Sequence, residues 1–130
     1  MRRTHLIIGL LGVVAFLLTG QVMKHHTPAM QLLTPEVRMM YVSRHIYLLG
    51  GALVNLVLGL YLREQPSGWR RILQWTGSLL ILLSAVSLLV AFLAEPSLGM
   101  AGRSFRSYFG LIGLFAGVMT HLVATITDAH

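Results

Sequence analysis

Ile72–Ala94 reads ILQWTGSLLILLSAVSLLVAFLA, an unbroken run of 23 residues without a formal charge. A helix crossing a hydrocarbon core of about 30 Å needs roughly 17–25 such residues. In lipid the backbone must satisfy its own hydrogen bonds, which makes a run of this kind a helix rather than an open strand. Working outward from it, Leu6–Met23, Ile46–Leu62 and Ser107–Thr127 repeat the pattern. The expected fold is an all-α membrane protein with four transmembrane helices.

The composition agrees. Mean hydropathy is +0.74, 55% of residues are hydrophobic and only 11% are charged, against about 25% charged in soluble domains. The 130 residues leave room for one bundle. A net charge of +6 would suggest nucleic acid in a soluble protein. Here the arginines cluster near helix ends, where they meet lipid phosphates, so nucleic acid is not an expected partner. The chain has no cysteine, which excludes disulfides, thiolate catalysis, iron–sulfur clusters and cysteine-based zinc sites.

Boundary signals give helices over about 5–23, 35–63, 68–95 and 104–127, in a single domain spanning 1–130. Arg2 and Arg3 precede the first run and also suit a signal peptide, but Leu18-Thr19-Gly20 is a poor cleavage site. Thr34-Pro35-Glu36 supplies a hydroxyl, a first-turn proline and an acid at the positive dipole end. Glu64–Gly68 is a tight turn, and Glu95-Pro96 is expected to stop the third helix. With connections this short, sequential helices become antiparallel neighbours in up-down-up-down order.

Placing both termini on one side puts Arg2, Arg3, Arg63, Arg70 and Arg71 there. Lys24, Arg38, Arg44, Arg103 and Arg106 lie on the other. Arg44 and Arg106 fall on polar faces inside their helices. Discounting them favours cytoplasmic termini by the positive-inside rule, in a setting such as a bacterial inner membrane.

At about 100° per residue each helix shows one small or polar stripe. The fourth carries Arg106, Gly110, Gly113, Gly117, Thr120, His121, Ala124 and Asp128. The second carries Arg44, Gly51, Asn55 and Gly59, and the first His5, Gly9, Gly12, Thr19 and Gly20. The third carries Arg70, Gln74, Gly77, Ser84, Ala91 and Glu95. The stripes are expected to face inward in a closed bundle, with Gly113 and Gly117 forming a small-residue packing motif. Ionisable residues within a span are expensive and are site candidates by default. By depth they sort into an extracytoplasmic cluster of Arg44, His45, Glu95 and Arg106, and a cytoplasmic cluster of His5, Arg70, His121 and Asp128. Glu95 is expected to pair with Arg44 and Arg106, leaving a net positive pocket with His45 on its flank.

Two cofactors suit these residues. Haem b needs two imidazoles at one depth. His45 and His121 fail this, being separated by roughly 15 Å along the membrane normal at 1.5 Å per residue. His45 with His25 or His26, and His5 with His121, match better. Copper suits mixed thioether and imidazole ligands, for which His25, His26 and Met30 are the candidates, but no tight methionine array is present. Only four acids exist and none lies deep in a span, so hydrolytic or transferase catalysis is poorly supported. The leading expectation is a non-catalytic accessory, assembly or lipid- or ligand-contacting component, as a homo-oligomer or within a larger membrane complex. The alternatives are a redox subunit binding haem b or quinone, and an extracytoplasmic copper-binding protein.

Overall fold

In the computed structural model, residues 1–66, 68–99 and 104–126 are described. Four long helices follow in chain order: α1 (Arg2–Lys24), α2 (Pro35–Tyr61), α3 (Trp69–Leu98) and α4 (Phe105–Ile126), with a short 3₁₀ turn at Met30–Leu32 before α2. All four are long and apolar enough to cross a membrane. Pro35 takes the first helical position of α2, as the Thr34-Pro35-Glu36 signal implies.

The helices form two tight pairs, α1 with α2 and α3 with α4, joined along α2 and α3; α1–α3 and α2–α4 contacts are slight. Glycine explains the pairing. A Cβ on Gly59 would sit 2.6 Å from the Leu6 backbone nitrogen, and one on Gly12 would sit 2.8 Å from the Ala52 Cβ. Across the second pair, a Cβ on Gly77 would meet the Gly117 carbonyl at 2.9 Å, and one on Gly117 would meet the Gly77 carbonyl at 2.8 Å. Backbones this close gain dispersion contacts that larger side chains would forbid. The expected bundle is therefore built from two glycine-zipped pairs.

The polar stripes do face inward. Gly51, Asn55 and Gly59 of α2, Gln74, Gly77, Ser84, Ala91 and Glu95 of α3, and Gly110, Gly117, His121 and Ala124 of α4 are buried. The apolar core they frame centres on Leu48, Leu88 and Phe92. Leucines, isoleucines and valines such as Leu17, Leu18, Leu79, Leu83, Val86 and Leu93 are exposed on the outer faces. On α3 the buried positions include 74, 77, 81, 84, 88, 91 and 95, which alternate spacings of three and four, with 78, 92 and 96 buried beside them; this is the 3.5-residue repeat of side chains meshing in a bundle.

Three boundaries differ from expectation by two or three residues: α1 begins at Arg2 rather than at 5, α2 ends at Tyr61 rather than at 63, and α3 ends late. α3 runs past Glu95 to Leu98, with Pro96 buried inside it, and ends at Gly99 with φ 58°. Proline disfavours helical backbone in the residue before it. Here that residue is Glu95, whose carboxylate is held from two other helices, and the hydrogen bonds described below keep the turn wound.

Candidate functional site

Two interior polar clusters occupy opposite ends of the bundle. At the end away from the N-terminus, Arg44 of α2 and Glu95 of α3 form an ion pair, Nε donating to Oε2 at 2.9 Å. Glu95 is 1% exposed. Its second oxygen accepts from the Ser107 backbone N–H at 2.9 Å, and the Ser107 hydroxyl donates to Oε2. Arg44 spends its remaining nitrogens on the hydroxyls of Ser43, at 2.9 Å, and Ser104. The first turn of α4 is thereby tied to α2 and α3 by charge-assisted hydrogen bonds, the strong kind.

The expected three-charge cluster is only partly assembled. Arg44 and Glu95 meet, whereas Arg106 is exposed and makes no ion pair or hydrogen bond with Glu95 among the described residues. Ser107 takes its place. On α4 the buried positions 107, 110, 117, 121 and 124 keep a three-and-four spacing, which puts residue 107 inward and 106 on the rim. The pocket is accordingly not doubly positive. Its one buried cation and one buried anion cancel. His45 also leaves the cluster: its Nδ1 donates to the Thr19 hydroxyl of α1 at 2.9 Å, since that hydroxyl gives its own proton to the Phe16 carbonyl at 3.0 Å. The His45 ring stacks on Phe16 with centroids 4.1 Å apart.

At the other end a hydrogen-bonded chain runs through all four helices. Asn55 of α2 donates from Nδ2 to the Gly51 carbonyl at 2.9 Å, which leaves Oδ1 as an acceptor. His5 Nδ1 of α1 donates to it at 2.7 Å. With the imidazoles neutral, His5 Nε2 must then accept from the Ser78 hydroxyl of α3, at 2.8 Å. Ser78 has no second proton, so its oxygen accepts from His121 Nε2 of α4 at 3.1 Å. The two imidazoles lie edge to face, centroids 6.3 Å apart. His5 is fully buried and His121 is 6% exposed. One atom in the chain is left over: His121 Nδ1 is buried and has no hydrogen-bond partner.

Of the expected inner cluster, His5 and His121 are brought together through Ser78. The Arg70 guanidinium lies over the Trp69 ring, 5.9 Å from its centroid. Asp128 lies outside the described residues. Ser43, Ser78, Ser104 and Ser107 are the members that sequence reading missed, and the three-and-four spacing of buried positions was the signal available for Ser107. Ser78 follows Gly77 directly, on the edge of the same stripe.

The arrangement bears on both cofactors. The interval between His5 and His121 is filled by the Ser78 hydroxyl, at hydrogen-bond distance from both Nε2 atoms, so these residues as packed do not fit an interposed macrocycle. His26 and His45 connect through the rings of Tyr41 and Phe92. His26 engages both ring nitrogens, Nδ1 with the Pro28 carbonyl at 2.7 Å and Nε2 with the Tyr41 hydroxyl at 3.1 Å. His25 is exposed beyond α1, and Met30 opens the 3₁₀ turn. Among the described residues no group of three or more histidines and acids gathers at metal-binding spacing.

A groove of about 620 Å³ opens between α2 and α4 at the end that carries the N-terminus, lined by Val57, Tyr61, Gln65, Val118, His121 and Thr125 among others. A smaller groove of about 170 Å³, lined by His5, Trp75 and Ser78, lies between α1 and α3. A third, of about 190 Å³ and wholly aliphatic, lies among α1, α2 and α3 beside Gly12 and Ala52. Comparison of the chain with protein-family models, with curated proteins and with solved structures gives no match.

Proposed function

We propose that this protein is a non-catalytic membrane component that contacts a lipid or lipid-like ligand and assembles with itself or with a larger membrane complex. Its proposed setting is a bacterial inner membrane with both termini cytoplasmic. The observation that supports this reading most directly is how the buried polar groups are used. Among the described residues every buried side-chain nitrogen or oxygen has a partner except His121 Nδ1. The Arg44–Glu95–Ser107 cluster is closed on itself and holds helices together. Groups of this kind are spent on structure, whereas a reaction centre needs reactive groups facing an accessible substrate.

The exterior supports the same reading. Large apolar side chains cover the outer faces of all four helices, and the grooves between them open sideways. Patches of that size mark contact with lipid or a partner. Trp69 and Trp75 are exposed at the inner end and Tyr108 at the outer end, as interface anchors are.

Purification of the full chain from its native membrane in mild detergent tests the proposal. Native mass spectrometry should show retained lipid or a partner subunit, and the absorption spectrum should lack a Soret band. A stoichiometric Soret band, or stoichiometric copper by elemental analysis, would replace this reading with one of the two cofactor alternatives.

A further inference from the structure

A single trough runs along one flank of the bundle, between α1 and α3. It starts at the head of α3, in a hollow of about 660 Å³ lined by Trp69, Arg71, Ile72, Trp75 and Thr76 among others. Trp75 also lines the next hollow, of about 170 Å³, with Thr4 and His5 of α1 and Ser78, Leu79 and Leu82 of α3. One turn further along both helices follows the aliphatic groove of about 190 Å³, walled by Ile8, Leu11 and Ala15 and by Ala85, Val86 and Leu89. On α3 the lining positions 72, 75, 79, 82, 86 and 89 recur every three or four residues, so the three hollows share one helix face.

Polarity changes along the trough in the order of a phospholipid. Arg71 is exposed, and among the described residues its guanidinium makes one hydrogen bond, Nη1 to the Pro66 carbonyl at 3.2 Å. Glu64, the carboxylate whose field reaches it, is paired with the Met1 ammonium at 3.2 Å. Trp69 and Trp75 are both exposed beside it, as indoles are between headgroups and chains. Thr4, His5 and Ser78 are the polar groups further in, and the last two hydrogen-bond each other at 2.8 Å. From Leu79 onward the α3 lining is aliphatic apart from Ala85 and its neighbours on the floor, which are small. Residues 79–89 rise roughly 15 Å, half of a hydrocarbon core of about 30 Å and so the depth of one leaflet.

From an exposed guanidinium, two interfacial indoles and an apolar channel one leaflet deep, we infer that the α1–α3 trough seats an anionic phospholipid. Its phosphate would pair with Arg71, its glycerol would lie beside Trp75 and Thr4, and one acyl chain would run along Leu79, Leu82 and Val86. A quinone or diacylglycerol would fill the channel and leave Arg71 without an anion. A zwitterionic lipid brings its own cation to the phosphate and gains less from the arginine. The inner sections are too narrow for a partner helix, which is about 10 Å across. The inference rests on the ligand-contacting reading above and names the ligand class for it.

The test uses the full chain in nanodiscs of equal parts phosphatidylcholine and phosphatidylglycerol, with a trace of one or the other carrying a mid-chain diazirine. Photo-cross-links are mapped by peptide mass spectrometry. Those from the phosphatidylglycerol probe should concentrate at 8–15 and 82–89 and exceed those from the phosphatidylcholine probe about fivefold, the factor one arginine near the surface supplies. Arg71→Gln should bring the two probes level there. Val86→Trp should remove the trough cross-links of both probes and keep those on the outer face of α4 at Phe115. Both substitutions fall on exposed positions, and an unchanged thermal midpoint verifies each fold. Cross-links spread evenly over the outer faces, equal labelling by the two probes, or an unchanged preference in Arg71→Gln would overturn the assignment alone and leave the broader reading standing. A stoichiometric Soret band or copper in the native preparation would remove both.

Discussion

At the scale of single residues, the decisive fact is that the two buried charges, Arg44 and Glu95, are paired with each other. Glu95 is the hub. Its replacement by alanine leaves Arg44 buried without its counter-ion, and removing one partner of a buried pair costs about 3–5 kcal/mol. Glu95→Ala should therefore lower the thermal midpoint in detergent severely. Arg106→Ala, at an exposed position outside the network, should stay within about 0.5 kcal/mol of the parent. Equal losses in the two variants would restore the three-charge cluster that the charge pattern suggested. Ser78→Ala removes the bridge between His5 and His121 and strands an acceptor on one and a donor on the other. A loss of about 1–3 kcal/mol is expected for a buried group left unsatisfied, read from chemical unfolding of the purified chain. Arg44 and Glu95 were legible as candidates because charges inside spans are rare. Ser78 and Ser107 were not, because a serine in a membrane helix usually hydrogen-bonds its own backbone. Ser84, which donates to the Leu80 carbonyl at 2.7 Å, does that here.

At the scale of helices, small residues choose partners. Gly117→Ala would set a Cβ 2.6 Å from Ile81 Cγ1 and 2.8 Å from the Gly77 carbonyl. The carbonyl is backbone and cannot turn aside, so α3 and α4 must separate, at about 1–3 kcal/mol by analogy with overpacked cores. Gly50 offers the contrast, because a Cβ there meets nothing within 4 Å. Gly50→Ala should be neutral or stabilise by up to about 1 kcal/mol through helix propensity. Comparing the two unfolding midpoints tests the pairing directly. The start of α1 is tied to the end of α2 by the Met1 ammonium, 3.2 Å from Glu64, and by Arg2 donating to the Leu60 carbonyl at 2.8 Å. The Met1 ammonium first, then the Arg2 backbone N–H, hold the Glu64 carboxyl below the ordinary carboxylate range. A depressed carboxyl contributes stability above its ordinary value and loses it as pH falls through the depressed one. Hydrogen exchange in the first turn of α1, corrected for intrinsic rates, should thus rise on acidification below that range. Glu64→Gln should show the faster exchange both above and below that range.

At the scale of the whole molecule, the topology is directly testable because the chain contains no cysteine. A single cysteine at position 26 should react with an impermeant reagent from outside intact cells, and one at position 64 only after the membrane is opened. The reverse pattern would invert the proposed orientation. The tandem-pair architecture also has a mechanical consequence. α1–α3 and α2–α4 contacts are slight, so the lateral grooves lie where the two glycine-zipped pairs diverge. The fold is held at its ends by the Arg44–Glu95 cluster and the His5–Ser78–His121 chain. Its exposed flanks are left to lipid.

The number, length and order of the helices followed from sequence alone. The bilayer sets the length of an apolar run, and short connections force neighbours to be antiparallel. The inward faces followed as well, since glycine, asparagine and glutamate are costly against lipid and collect on one stripe per helix. Tertiary structure alone decided which stripe residues meet. A helical wheel places residue 106 and residue 107 almost equally near the Gly110 face, and only the packing of α4 on α3 gave the Glu95 carboxylate to Ser107. Pairing of His5 with His121 likewise depended on a serine from a third helix at the same depth. Contacts of that kind turn on offsets of one residue between helices, which periodicity cannot fix, because every stripe remains a stripe when its helix slides.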